Sequence, residues 1–278
     1  MRRRYIIIAI VILIIVVDLC VLLYPTVSSY INYQNQSRAV ARYLDEVVNM
    51  SSEDVQAALQ SAHEYNERLQ HKTNRFQFSE QDMQDYEQQL NNGHGVMGIL
   101  VIDKIEVKLP IYHGSEEGVL QIGLGHMKGS SLPVGGEGTH AVITGHRGLP
   151  SSTLLTNLNK LTWEDTFVLY VMGETLTYQV DHVITVEPHE TEALAIDPDM
   201  DYCTLVTCTP YGVNSHRLLV RGRRVENALN PSWDDIYADA RRLDRILVIL
   251  VFIVPTLPVA VILTLIKYRK IRKGEPVQ

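Results

Sequence analysis

FVLYVMGETLTYQVDHVITV, residues 167–186, is the stretch whose reading decides the fold. Phe167–Val171 is a short apolar, β-branched run. Residues 175–186 then alternate, with Leu176, Tyr178, Val180, His182, Ile184 and Val186 on one face. A period of two places successive side chains on opposite sides of a strand, so this pattern predicts two strands rather than a helix. Met172-Gly173-Glu174 between them reads as a hairpin turn. Strand candidates of the same kind lie on either side: Ile99–Ile102, Ile105–Tyr112, Ala141–Thr144, Cys203–Cys208 and Arg217–Arg221. Many short strands punctuated by Gly and Pro, with no strand–helix alternation, imply a closed barrel or sandwich over residues 96–228. About 130 residues suffice to bury a core of their own.

Upstream of the strands the period changes. Residues 38–50 and 52–70 carry helical spacing, and Val55, Leu59, Ala62, Tyr65 and Leu69 form one stripe, with Ser51 and Asp54 suited to a capping box. Residues 71–95 are polar and end in Asn91-Asn92-Gly93, which reads as a flexible connection. Residues 25–95 are therefore taken as a helical region closed by that connection.

The two ends are apolar. Residues 5–24 are broken only by Asp18, and residues 246–266 carry no charge at all. Each is long enough to cross a bilayer as a helix. Arg2, Arg3 and Arg4 precede the first run; Lys267, Arg269, Lys270, Arg272 and Lys273 follow the second. The positive-inside rule then expects two spans, both termini cytoplasmic and the middle of the chain extracytoplasmic. Residues 1–24 would be a tail plus the first span, 229–245 a juxtamembrane helix, and 267–278 a basic cytoplasmic tail. The first run also has features of a secretory signal, but its length favours an uncleaved anchor. Of the net charge of −7, the first four residues hold +3, Asp18 −1 and residues 267–278 +4, leaving −13 for the segment between the spans. So acidic a segment argues against nucleic acid as a partner.

Chemistry concentrates in Thr204-Leu205-Val206-Thr207-Cys208. A nucleophilic thiol needs a base and a cation or donor to hold developing negative charge. Arg217 follows nine residues later, and His146 sits in a glycine-rich turn sixty-two residues earlier. Cys203, five residues before Cys208, is expected in the core and would point to the opposite face of the same strand, so the two cannot bridge. Among other histidines, His140 and His182 are expected as core groups, and His126 and His113 as turn residues. Arg147 and Arg221 read as surface charges. No Cys or His spacing suggests a metal site, no phosphate-cradling loop is present, and no cofactor is expected.

These segments resemble those of sortases. Thr204-Leu205-Val206-Thr207-Cys208 with Arg217 is similar to the family's T-L-x-T-C signature and its following arginine, and Thr144-Gly145-His146-Arg147 resembles its histidine segment. Lys108–Gly114, Gly125-His126, Ser130–Gly136 and Cys208–Gly212 look most like the class C, pilin-polymerising members, from Gram-positive bacteria. The resemblance covers about residues 55–225, together with the second apolar run. It implies an eight-stranded β-barrel and a cysteine transpeptidase acting on an LPXTG-like sorting signal. Cys208 would form the thioester, His146 would transfer protons and Arg217 would steady the carbonyl oxygen, with Thr207 as further oxyanion support. The implied partners are pilin subunits that supply a sorting signal and an acceptor lysine, and the cell membrane.

One departure stands out. Class C members carry an Asp-Pro-aromatic lid, and the matching stretch here is Phe76-Gln77-Phe78. Without the stiffening proline and the carboxylate, a weaker or mobile lid is expected, with Phe78 and Phe76 as its candidates. Alternatives drawn from the same residues are a housekeeping-type sortase attaching proteins to peptidoglycan precursor, a hydrolytic cysteine peptidase, and an anchored non-enzymatic scaffold or binding module.

Overall fold

In the computed structural model, which describes residues 2–227, the stretch 166–186 folds as β5 (Thr166–Val171) and β6 (Glu174–Val186). Val171 pairs with Glu174, so the loop is the two residues Met172 and Gly173, both at positive φ (46° and 86°). That is the primed turn whose twist matches antiparallel strands. The other strands are β1 (Val96–Ile102), β2 (Val107–His113), β3 (Leu124–His126), β4 (Thr139–Thr144), β7 (Asp201–Thr209) and β8 (His216–Val225). They close into one barrel in the order β1-β2-β3-β4-β7-β8-β6-β5. The β2–β3 and β4–β7 pairings are parallel and the others antiparallel. The eight-stranded, mainly β architecture expected from the sequence is the one observed.

The core fills from inward-facing positions such as Ile99, Ile111, Leu124, Leu169 and Leu205, all fully buried. A second, smaller cluster lies apart from it and joins Val142, Leu194, Val206 and Leu219 to Ile184 and Val186. The alternation of β6 therefore does not serve one face. The register shifts between Val180 and His182, leaving Asp181 as an extra residue. Leu176, Tyr178 and Val180 enter the main core, Ile184 and Val186 pack on the smaller cluster, and His182 at the crossover is exposed. The inward placement expected for His182 is thus corrected: a bulge reverses the faces, and a period of two carries no signal of it.

Three helices precede the barrel: α1 (Arg2–Asn49), α2 (Ser52–Gln70) and α3 (Glu80–Gln88); α4 (Glu117–Leu120) follows β2. The described residues fall into two units, one ending at Ile31 and one beginning at Asn32. In the second unit, Val40, Tyr43, Leu44 and Val47 of α1 are buried at i, i+3, i+4 and i+7. Tyr43 Oη donates to the Met97 carbonyl (3.0 Å) and accepts from Met172 N–H (2.9 Å). From α2, Asn66 makes paired bonds to Leu132, Nδ2 to its carbonyl (3.1 Å) and Oδ1 from its N–H (2.7 Å). Ser51 caps α2 through Asp54 N–H (3.1 Å). Tyr43→Phe keeps the ring but strands two buried backbone groups. It is expected to cost about 2–4 kcal/mol in urea unfolding with an unchanged denaturant slope.

Two expectations change in this region. Residues 71–95 are not a featureless connection, because α3 forms within them, closed by a capping box between Ser79 and Asp82. Its one buried residue is Tyr86, too little apolar signal for a helical stripe to be read. At the strand predicted from Ile105, Asp103–Ile105 instead turns and Glu106 takes a left-handed φ of 53°, so β2 starts at Val107.

Among the described residues one helix carries a window long and apolar enough to cross a membrane, over Leu13–Asn49. The predicted second span 246–266, the helix 229–245 and the tail 267–278 lie outside the described residues.

Candidate active site

Three neighbouring strands position the site. In the parallel β4–β7 pair, Thr144 lies beside Val206, and Gly145 N–H continues the ladder by donating to the Val206 carbonyl (3.0 Å). His146 follows two residues after Thr144, and Cys208 two residues after Val206. In the antiparallel β7–β8 pair, Cys208 lies directly across from Arg217. A histidine just past one strand, a cysteine near the end of the next and an arginine at the start of the third thus share one end of the barrel. Cys208, His146 and Arg217 are all half-buried, whereas Cys203 is fully buried. Burial pushes the Cys203 thiol well above its ordinary range, which keeps it protonated and inert.

The backbone around His146 is tightly constrained. A Cβ on Gly145 would sit 2.6 Å from a Leu124 methyl, so any larger residue there must push the Leu124 and Leu155 side chains aside. The His146 carbonyl accepts from Leu155 N–H (3.2 Å). Gly148 turns at φ +78°, and the Tyr211 ring covers it so closely that a Cβ would lie 2.8 Å away. Imidazole Nε2 of His146 lies 3.2 Å from Oε1 of Glu117, on α4. The Gln121 amide (3.1 Å) and then the imidazole hold the Glu117 carboxyl below its ordinary range. Glu117 is the described side-chain partner of the ring. No sequence signal marked it, since a glutamate in Ser115-Glu116-Glu117 reads as a solvated turn.

Arg217 Nη1 donates to the carbonyls of Asn214 (3.2 Å) and His216 (3.1 Å), which fixes the guanidinium against the loop leading into β8. Thr207 is buried, and its hydroxyl donates to the Gly145 carbonyl (2.7 Å). Its single proton is therefore committed to the histidine loop.

The competing histidines fall elsewhere. His126 is in β3, not in a turn, and fully buried; Nε2 donates to the Ser131 carbonyl (2.8 Å) and Nδ1 accepts from Tyr86 Oη (3.0 Å). His140 is a buried, hydrogen-bonded core group, as expected, bonded to the Ala195 carbonyl (2.8 Å) and Thr204 Oγ1 (2.7 Å). His113 caps the end of β2 against the Gln89 and Gly95 carbonyls (2.6 and 3.2 Å).

Neither arginine read as a free surface charge is one. Arg221 forms a two-pronged pair with Asp181 (3.0 and 2.9 Å) and lies over the Tyr202 ring at 4.1 Å. Arg147 donates to the Thr156 carbonyl (3.2 Å) and Thr209 Oγ1 (3.1 Å).

The lid candidates pack beside the barrel. Phe78 meets Tyr86 edge-on at 6.2 Å between ring centroids, and Lys72 lies over its ring at 5.7 Å. Phe76 is largely exposed and stacks under the Arg75 guanidinium (4.6 Å), whose nitrogens donate to the Gly129 (3.1 Å) and Leu194 carbonyls. None of these described hydrogen-bond and ring contacts of Arg75, Phe76 and Phe78 reaches Cys208, His146 or Arg217.

Comparison with known proteins points one way. The sortase domain family model matches residues 100–225. Sortase C1 from Streptococcus agalactiae is similar in structure at 48% identity and a TM-score of 0.66, over 69% of this chain and 100% of that one. Sortase C from Streptococcus pneumoniae, whose structure has been interpreted in terms of catalysis and pilin substrate specificity, is 40% identical with a TM-score of 0.62, over 69% of this chain and 99% of its own. Sortase D from Bacillus subtilis (strain 168) is 30% identical over 131 residues, and the chain spans only 63% of that protein's length.

Proposed function

We propose that this chain, which belongs to the sortase family, is a membrane-anchored cysteine transpeptidase that joins pilin subunits. The observation that carries the reading is the strand register: Cys208 opposite Arg217 and one strand from the end of β4 that leads into His146. The class C neighbours favour pilin subunits as substrates.

The chemistry runs in two halves. The Cys208 thiol passes its proton to His146 as the sulfur attacks the threonine carbonyl of an LPXTG-like signal, and Arg217 donates to the oxygen as it gains charge. When the C–N bond breaks, His146 gives its proton to the departing glycine amine and a thioester remains. A lysine ε-amine of another subunit then attacks that thioester. His146 takes the amine proton, the new amide forms and the sulfur is released. The thiol suits this sequence because a thioester resists water longer than it resists an amine. The apolar window of α1 supports anchoring, with the barrel on the extracytoplasmic side and both termini cytoplasmic; a second span over residues 246–266 is part of the same proposal.

The test offers the full chain a sorting-signal peptide with two competing amines, a pilin lysine and a glycine-type peptidoglycan amine. Mass spectrometry should find an acyl adduct on Cys208 that only the lysine discharges efficiently, by at least about tenfold in kcat/KM. Preference for the glycine amine would make it a housekeeping enzyme, and discharge by water alone a peptidase.

A further inference from the structure

The residues on either side of the cysteine are tied to the residues on either side of the histidine. Thr207, before Cys208, donates its hydroxyl to the carbonyl of Gly145, before His146 (2.7 Å). Thr209, after Cys208, accepts from the guanidinium of Arg147, after His146 (3.1 Å). The second tie is itself anchored, since Arg147 Nε holds the Thr156 carbonyl (3.2 Å), and Thr156 Oγ1 accepts from Gly148 N–H (3.0 Å).

We propose that Arg147 and Thr209 form a positioning clamp that, with the Thr207–Gly145 bond, sets the separation of sulfur and imidazole. The proposal rests on the reading of Cys208 and His146 as nucleophile and proton carrier. Its physical basis is that regular β4–β7 pairing ends at Thr144 and Val206. One further backbone bond, from Gly145 N–H to the Val206 carbonyl (3.0 Å), follows that rung; past it, two side-chain bonds tie the histidine loop to the cysteine strand. Arg147 is half-buried, and its described partners are a carbonyl and a hydroxyl. A planar fork reaches a carbonyl with one nitrogen and a hydroxyl with another at fixed spacing, whereas lysine offers a single nitrogen on a flexible stem.

Misplacing two reacting groups by about 1 Å costs on the order of a hundredfold in rate. Arg147→Ala and Thr209→Val in the full chain are each expected to lower kcat for acyl transfer by about 30–100-fold, with KM within about twofold. The double variant should be no worse than Arg147→Ala alone, because the Arg147–Thr209 bond is already lost there, along with the bond to the Thr156 carbonyl. Thr209→Ser should restore activity, and Arg147→Lys should not. Alkylation of Cys208 by iodoacetamide at pH 9 should stay within about twofold of the parent, reporting an intact, accessible thiol. Additive losses, a neutral Thr209→Val, or full rescue by Arg147→Lys would each overturn the clamp. Cys208→Ala in the same assay separates the two readings: if it stays active the assignment of the site fails, and if it is dead while Arg147→Ala is unimpaired only the clamp fails.

Discussion

Cys208→Ala is expected to reduce acyl transfer to background, a fall of at least about 10⁴-fold, while leaving the fold intact. Cys208 is only half-buried near the end of β7, so losing its sulfur opens no core cavity and the melting temperature should barely move. His146→Ala should be nearly as severe. The double variant should match the worse single one, because sulfur and imidazole act on the same proton and neither is useful alone. Arg217→Ala is a different kind of loss. Removing one donor to a developing oxyanion costs about 3 kcal/mol, or some 10²–10³-fold in kcat, with the thioester still forming slowly. The ranking is read from acyl-adduct formation by mass spectrometry and from turnover with a lysine acceptor. A scaffold or binding module would keep its function through all three changes. A Cys208→Ala chain that still carries acyl groups would remove the sulfur from the mechanism, since fully buried Cys203 offers no substitute nucleophile.

How much of this was legible beforehand depended on how far each element signals locally. The β5–β6 hairpin announces itself because alternation and a two-residue Met-Gly turn are both local. β7 is rich in β-branched and apolar residues from Cys203 to Cys208, so its extent was readable to within a few residues. β3 has three residues, one of them glycine, and too short a run to show any period. α3 was hidden because it buries Tyr86 and little else, its stability coming from the Ser79–Asp82 cap and from hydrogen bonds of Tyr86 Oη to His126 and Gly114. At the site, Cys208, His146 and Arg217 were picked out by residue type together with the resemblance of their segments to sortase signatures, and the strand order brings their positions to one barrel end. Their supports were not readable. Glu117 and Arg147 act through partners 29 and 62 residues away along the chain. Such contacts exist only once the barrel closes, and a charge beside a turn looks the same in sequence whether it is solvated or held.

Acidification from pH 6.5 to 4 is expected to destabilise the barrel by about 3 kcal/mol for each of two histidines, His126 and His140. Burial, the largest cause for both, pushes each imidazole down to about 4 from an ordinary 6.5. The hydrogen bonds fix which form is accommodated. Each ring has a carbonyl on one nitrogen (Ser131 for His126, Ala195 for His140), which takes that ring's one N–H. The other nitrogen faces a hydroxyl, of Tyr86 or Thr204, as a neutral acceptor. Above pH 6.5 both folded and unfolded chains hold these rings neutral and the full stability is present. Below 6.5 the unfolded chain takes up protons that the folded one refuses, so stability falls until the folded rings also titrate near 4. Carboxylates add little in this window: Asp82, Glu116 and Asp165 are held below their ordinary range, so their losses come at lower pH. Buried Asp201 is shifted upward and opposes the trend slightly. For a domain of this size the melting temperature should drop by roughly 10–20 °C between pH 6.5 and 4. His140→Gln should remove about half of the slope while lowering stability at pH 7, because glutamine keeps a donor and an acceptor but takes no proton. A melting temperature that stays level from pH 6.5 to 4.5 would mean that these two rings carry no proton linkage to folding.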